Sequence, residues 1–440
     1  MVPVSEGEPQ VASGPDPRIL SEEPFDAAGQ GTSESWAPMV VAATILAIII
    51  IWSALSGPLD RRGITPALFL AASGFLFGGS VLGVLDISVE SEAVQRVAEL
   101  ALVLILFSDA TRLHFGARRY TLGWPRRLLL IGLPLTMLAG IGVGVLIFPT
   151  VALASVLLLA TMLAPTDAAL GQKVVSDPAV MTRVRHSLDV ESGLNDGLAV
   201  PFFLVALEIA NAELQTRVIS AVISNMVTQI GWGLTGGLAA GVLGGLLFRF
   251  ADRRGWIRSE WRQVLLLSTA LLAYTLALTL GGSAFIAAFV GGLAFGSVSG
   301  AQASAGIPLT EETGGLLAAV VWIGFGALAF TLVIPNITWQ VILYATLSLT
   351  LIRMIPVAIA FAGRGVPWQT VVFIGWFGPR GLASLVFALI ALERGVPEGE
   401  VVLTTVVVTI ALSVLLHGLS SVPLVAAYHR WSEDQPEDIS

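Results

Sequence analysis

Apolar stretches of roughly twenty residues, closed by short polar loops, recur along nearly the whole chain. At 1.5 Å rise per residue, a helix of that length crosses the ~30 Å hydrocarbon core of a bilayer. Lipid offers no hydrogen bonds, so such a segment must satisfy its own backbone, and the pattern predicts an all-α membrane protein. Hydropathy gives about thirteen spans, near 37–56, 64–85, 92–113, 127–148, 150–173, 184–210, 222–250, 261–281, 283–300, 314–334, 337–362, 367–393 and 400–428. The first breaks fall at Gly57-Pro58, in the acidic 86–92 loop and in the basic 118–127 loop. The division at Gly281-Gly282 rests on glycine alone.

Two spans carry interruptions. The fifth contains Ala164-Pro165-Thr166-Asp167, where proline cannot donate its helical hydrogen bond and Asp competes for backbone amides. The twelfth contains Gly375-Trp376-Phe377-Gly378-Pro379-Arg380-Gly381. Spans four to six and eleven to thirteen start from opposite sides of the membrane, and each trio has its broken helix in the middle. That is the topology of an inverted repeat, in which paired discontinuous helices mark a transporter's binding site.

Composition narrows the class. Of 440 residues 55% are apolar and 12% charged, against about 25% charged in soluble domains, which excludes a soluble enzyme. The net charge of −8 resides in the tails: residues 1–35 carry −6 and residues 429–440 carry −3. Both are expected to be disordered and acidic, flanking a transmembrane domain over 36–428. The leading tail lacks a basic region and a small-residue cleavage site, so the first span is expected to direct insertion. The chain has no cysteine, and its four scattered histidines suggest no metal cage. With no phosphate-binding loop, any transport is expected to run on ion gradients, without cofactor or nucleotide. Gly231-x-Gly233-x-x-Gly236 matches a dinucleotide fingerprint only superficially, since it lies inside a span. Seventeen of the 23 basic residues fall in one set of alternate loops and the C-terminal tail, which predicts a cytoplasmic C-terminus and an outside N-terminus.

The chemistry concentrates in Glu191-Ser192-Gly193-Leu194-Asn195-Asp196, within span six. A charge at the bilayer centre costs at least ~2.5–3.5 kcal/mol, so such residues are usually functional. Helical spacing puts Ser192 and Asp196 on one face and Glu191 and Asn195 on the adjacent one. Asp196 falls about 18 Å into its span, near the midplane. Asp167 reaches a similar depth at the break. A cation site is expected from the Asp196 and Ser192 side chains, Asp167 and freed carbonyls near Thr166, because hard cations prefer oxygen ligands. The bland reading is that these acids only pair with membrane arginines. Arg353 needs a buried anion, with Glu191 the first candidate and Asn195 on the same stripe. Arg380 competes for Glu191 or offsets helix-end carbonyls at its own break. Asp109 is either a gate near the ion path or an interfacial acid paired with Arg112. Arg185 and Asp189 read as an entrance-level salt bridge.

Together, Thr166-Asp167 at a helix break, Glu191-Ser192-x-x-Asn195-Asp196, Arg353 and Gly378-x-Arg380-Gly381 resemble the monovalent cation:proton antiporter family of the NhaP and sodium/proton-exchanger type. The resemblance covers nearly everything between the tails. It implies a plasma-membrane homodimer whose protomers hold a dimerisation unit (about 37–113 and 261–334) and a core unit (about 127–210 and 337–428) with two crossed, unwound helices. It implies ion and proton binding at Asp196, assisted by Ser192, Asp167, Thr166 and, as a possible gate, Asp109. Glu191, Asn195 and Arg353 take supporting roles. Asn beside the Asp implies electroneutral exchange. The chain departs from the family at Ala168, where proline is usual, and in Gly-Pro-Arg-Gly for Gly-Leu-Arg-Gly.

The function so implied is secondary sodium (or lithium)/proton antiport by alternating access, one carboxylate carrying either ion. Potassium/proton antiport uses the same oxygen ligands and stays open. A gated cation channel is the alternative of another class, disfavoured by the paired broken helices and the lack of a repeated filter segment.

Overall fold

The computed structural model describes residues 33–79, 81–85, 92–112, 123–215, 219–300, 304 and 306–433. Among them the chain is helical, with one isolated bridge between Gly78 and Leu85. Eight helices are long and apolar enough to cross a membrane, and shorter apolar helices stand between them. Helical elements occupy each of the expected stretches.

The first half begins with α1 (Ser33–Arg61), α2 (Pro66–Phe77) and α3 (Glu92–Arg112). Then come α4 (Gly123–Arg127), a π-helical turn (Leu128–Gly132) and α5 (Leu133–Ile147), which form one span. Next are α6 (Leu153–Met162), α7 (Ala168–Ser176) and α8 (Thr182–Gln215). Then follow α9 (Ile219–Arg253), α10 (Ser259–Leu280), the shorter α11 (Ala284–Ser299) and α12 (Ile307–Val333). The chain closes with α13 (Trp339–Leu349), α14 (Leu351–Phe361), α15 (Trp368–Trp376), α16 (Leu382–Glu393) and α17 (Gly399–Glu433).

Local chemistry sets most boundaries. Thr65, Ser283 and Thr338 each accept a backbone N–H in the first turn of α2, α11 and α13, supplying the N-caps those helices need. Gly281, in the left-handed region at φ 75°, ends α10 at the division that rested on glycine alone. Small residues let backbones meet: a Cβ at Gly241 would lie 2.2 Å from the Gly291 carbonyl oxygen, so α9 and α11 touch along their backbones. That packing is also what Gly233 and Gly236 serve, rather than a nucleotide.

Several boundaries differ from expectation. Helix α1 continues through Gly57-Pro58 to Arg61 and stops before Gly63, whose φ of 83° suits only glycine well. The second span is helical only to Phe77 and finishes as a turn held by Gly83 N–H to the Gly78 carbonyl. The eleventh span is not continuous: α13 and α14 part at Thr350, whose hydroxyl back-bonds to the Thr346 carbonyl. Pro356 further loosens that segment, since it cannot donate to the Ile352 carbonyl. The expected disordered ends are trimmed: helix reaches back to Ser33 and forward to Glu433. Residues 1–32 and 434–440, with the 86–91 and 113–122 loops, lie outside the described residues.

Candidate ion-binding site

The two interrupted spans cross at their breaks. Asp167 N–H donates to the Pro379 carbonyl at 2.8 Å, and the Arg380 guanidinium donates through Nη1 to the carbonyls of Ala164 (2.7 Å) and Pro165 (2.8 Å). Four half-helix ends meet here, the two N-termini facing a carboxylate and the two C-termini facing side-chain donors. The N-termini of α7 and α16 both point at Asp167: Oδ1 accepts from Leu170 N–H at 2.9 Å and Oδ2 from Leu382 N–H at 2.8 Å. The C-termini of α6 and α15 instead meet donors. Ser384 Oγ donates to the Met162 carbonyl at 2.7 Å, and His417 Nε2 lies 2.8 Å from the Trp376 carbonyl. Ends of positive dipole thus face the carboxylate, and ends of negative dipole face Arg380 and neutral donors.

Two glycines make the crossing possible. A Cβ on Gly381 would fall 2.1 Å from Asp167 Oδ2, and one on Gly378 would fall 2.5 Å from Arg353 Nε. Neither site can hold a larger residue without moving a buried charge. Helix α17 braces the second break from behind: Ser413 Oγ accepts Arg380 N–H at 2.7 Å, and the His417 ring lies against Trp376 at 5.3 Å between centroids.

The competition for Glu191 resolves in favour of Arg353. Arg353 Nη1 and Nη2 meet Glu191 Oε1 and Oε2 at 2.6 and 2.8 Å, a bidentate pair with both side chains 2% exposed. Arg380 has no anionic partner in hydrogen-bond range among the described residues; its Nη1 donates to two backbone carbonyls. Asn195 does not face the scaffold arginine as its stripe suggested. Its Nδ2 donates to Thr166 Oγ1 at 2.5 Å, and that hydroxyl is also 3.2 Å from Ser192 Oγ. Thr166 therefore ties both stripes of α8 to the first break through its side chain.

Asp196 is the carboxylate left over. Its Oδ1 is buried and has no hydrogen-bond partner among the described residues. Asp196, Asp167 and Asp109 line one cavity of about 400 Å³, walled by apolar groups such as Leu102, Trp322 and Leu382. Every ionisable side chain in its lining is an acid, which favours cations over anions. The cavity extends toward the end that carries Arg61, Arg112 and Arg126, along the C-terminal part of α3 and the N-terminal part of α12. Asp109 lines this cavity. Arg112 reaches across to Glu311 at the rim, while Asp109 packs against Gly193 of α8. Of the expected four-residue cluster, Asp196 and Asp167 line the cavity, while Ser192 and Thr166 do not and instead meet each other, hydroxyl to hydroxyl, at 3.2 Å. The expected Arg185–Asp189 bridge does not form; Arg185 donates to the Thr182 hydroxyl at 3.1 Å.

Sequence reasoning overlooked Ser384, Ser413 and His417. A signal existed for the last two, since Thr405, Thr409, Ser413, His417 and Ser421 recur at i, i+4 as a polar stripe in a mostly apolar helix.

Comparison with known proteins agrees with this geometry. The K(+)/H(+) antiporter NhaP2 of Shewanella baltica is 25% identical over 398 residues, spanning 87% of this chain and 65% of that protein. A Na(+)/H(+) antiporter of Schizosaccharomyces pombe is 24% identical over 312 residues, 62% of this chain and 65% of that one. The chain thus spans just under two thirds of the length of these curated relatives. In three dimensions, the sodium proton antiporter MjNhaP1 of Methanocaldococcus jannaschii superposes with a TM-score of 0.71 at 18% identity, over 87% of this chain and 99% of that one. The signature of the family described as "Sodium/hydrogen exchanger, transmembrane" matches residues 41–427, nearly all of the helical region. Crossed broken helices, a carboxylate shared between two helix N-termini and a continuous family match lead to one assignment: the chain belongs to the transmembrane sodium/hydrogen exchanger family.

Proposed function

We propose that this chain exchanges a monovalent cation for a proton across the membrane by alternating access, with Asp196 as the group that carries one or the other. The observation that carries this reading is the unpartnered Asp196 oxygen on a cavity whose only ionisable residues are acids. Burial disfavours any bare carboxylate, so such a group is occupied either by a proton or by a cation. The two ions then compete for one site, and the competition couples their fluxes.

Asp167 supports the site in two ways. Both oxygens are anchored by backbone amides, yet each keeps a lone pair free for a cation in the cavity it lines. Thr166, Ser192 and Asn195 hold α8 against the break, and Glu191–Arg353 holds α8 against α14. Asp109, nearer the basic end, guides cations inward as a gate residue.

With Glu191 paired to Arg353, Asp167 pinned by two helix ends, Asn195 uncharged and Asp109 assigned to the gate, this reading leaves Asp196 as the one carboxylate that changes occupancy per cycle. One proton per cation, hence electroneutral exchange, follows. Sodium or lithium is the first reading of the cation. Potassium is the second, favoured by relatives named as K(+)/H(+) antiporters. Following the positive-inside rule, the basic end is cytoplasmic and the cavity opens inward. The family reading adds a homodimer formed through α1–α3 and α10–α12, against which the unit of α4–α8 and α13–α17 moves.

The test is pH-gradient dissipation in proteoliposomes with Na⁺, Li⁺ and K⁺ in turn. Asp196→Asn is expected to fold, by its elution and helical signal, and to show no exchange with any of them. Retained cation-dependent proton flux in that variant would sink the assignment.

A further inference from the structure

A second polar cavity, of about 420 Å³, lies at the end of the molecule opposite the basic one, between α8, the start of α9 and the end of α16. Its polar lining is Glu208, Asn211, Asn225, Thr228, Gln229 and Arg394. Glu208 is 4% exposed and forms no ion pair among the described residues; it accepts one hydrogen bond, from Gln229 Nε2 at 3.0 Å. Asn211, 7% exposed, makes no hydrogen bond among the described residues. A buried carboxylate with a single neutral donor, next to an unpartnered carboxamide, leaves acceptor oxygens facing open space. Such groups are costly unless a ligand or water satisfies them.

The cavity also lies on the path from Asp196. Along α8, Asp196, Val200, Phe203, Leu207 and Asn211 recur at i, i+4, i+7, i+11 and i+15, one stripe of a helix. Asn211 is about 22 Å from Asp196 along that stripe. Between them the Phe203 ring stacks on Phe387 of α16, with centroids 4.3 Å apart at 11°, and Phe285 of α11 closes on Phe387 edge-on. Phe203 thus stands along α8 between Asp196 of the first cavity and Asn211 of the second.

We propose that Glu208 and Asn211 form a second, low-affinity monovalent-cation subsite at the outer mouth of the pathway, closed off from Asp196 by the Phe203–Phe387 stack. One carboxylate with neutral amide and hydroxyl oxygens suits a singly charged cation that keeps part of its water shell, and the cavity has room for that shell. Arg394, at the exposed rim, makes no ion pair with Glu208 and so does not occupy its place. The subsite loads cation from outside before the rings part; this rests on the exchange reading above.

Two measurements test it. In vesicles of each orientation, Glu208→Gln and Asn211→Leu are expected to raise the KM for cation offered at the outer end about fivefold to tenfold. The KM at the basic end should match wild type. An equal rise at both ends, or none at either, overturns the subsite. The second measurement does not need transport. The chain has no cysteine, so Asn225→Cys, on the exposed lining of the same cavity, presents a single thiol and keeps Glu208 and Asn211 in place, and Na⁺ or K⁺ should slow its modification by an impermeant thiol reagent from outside. Slowing by choline at equal ionic strength to the same degree overturns the proposal. A wild type without cation-coupled proton flux would overturn the exchange reading, while the thiol measurement still decides the subsite.

Discussion

Removing the positive partner of the Glu191–Arg353 pair exposes what holds the crossing in place. Both charges are buried, 2% exposed each, and meet through two hydrogen bonds of 2.6 and 2.8 Å. The sign of the effect is set by what is left behind rather than by what is lost. An intact buried pair contributes little net stability, because desolvation offsets its attraction, but a single survivor is an uncompensated charge costing roughly 3–5 kcal/mol. Arg353→Met keeps most of the side-chain volume, which matters because Gly378 packs directly against the Arg353 guanidinium. That variant should lose about 3–5 kcal/mol. Glu191→Gln/Arg353→Met, with both charges gone, should regain most of the loss. The assay is thermal unfolding of purified protein followed by tryptophan fluorescence, at one scan rate and in one detergent, for both single variants and the double. A single variant melting with wild type, or a double variant melting no higher than the worse single, would refute the reasoning.

Three further outcomes follow from the geometry. Gly381→Ala places a methyl 2.1 Å from Asp167 Oδ2, and should abolish exchange and lower the melting temperature, whereas Gly142→Ala, with open space around it, should leave both near wild type. Ser413→Ala removes the acceptor of Arg380 N–H and should cost about 1–3 kcal/mol as an unsatisfied buried donor, with Ser413→Thr restoring stability; a silent alanine variant would show that α17 does not brace the break. Electroneutral exchange predicts that a valinomycin-imposed potential leaves the initial rate of Na⁺/H⁺ exchange unchanged, and a rate that rises with potential would contradict a single working carboxylate.

Much of the molecule was legible in its residues. Apolar run length and Arg placement gave the spans and their sidedness as expectations, and Pro165 and Pro379 marked the two breaks that cross. Asp196 stood out as an acid in lipid, and its buried Oδ1 has no hydrogen-bond partner among the described residues. The roles of its neighbours were not legible. Helical spacing predicts which side chains share a face of α8, but not what the facing helix offers, so Asn195 was assigned to Arg353 when its amide reaches Thr166. The same limit applied to Asp109 and to Arg380.

Sequence alone determined what must be solved: backbone satisfied within lipid, four half-helix ends left bare by two breaks, and a handful of charges too costly to leave unpaired. Only the tertiary structure decided which charge answers which end, because that depends on two segments over 200 residues apart meeting at hydrogen-bond distance. Asp167 went to the two N-termini, Arg380 to the carbonyls and Glu191 to Arg353. Asp196 remained, its buried Oδ1 without a hydrogen-bond partner among the described residues, and that is the ground on which it is proposed as the ion carrier.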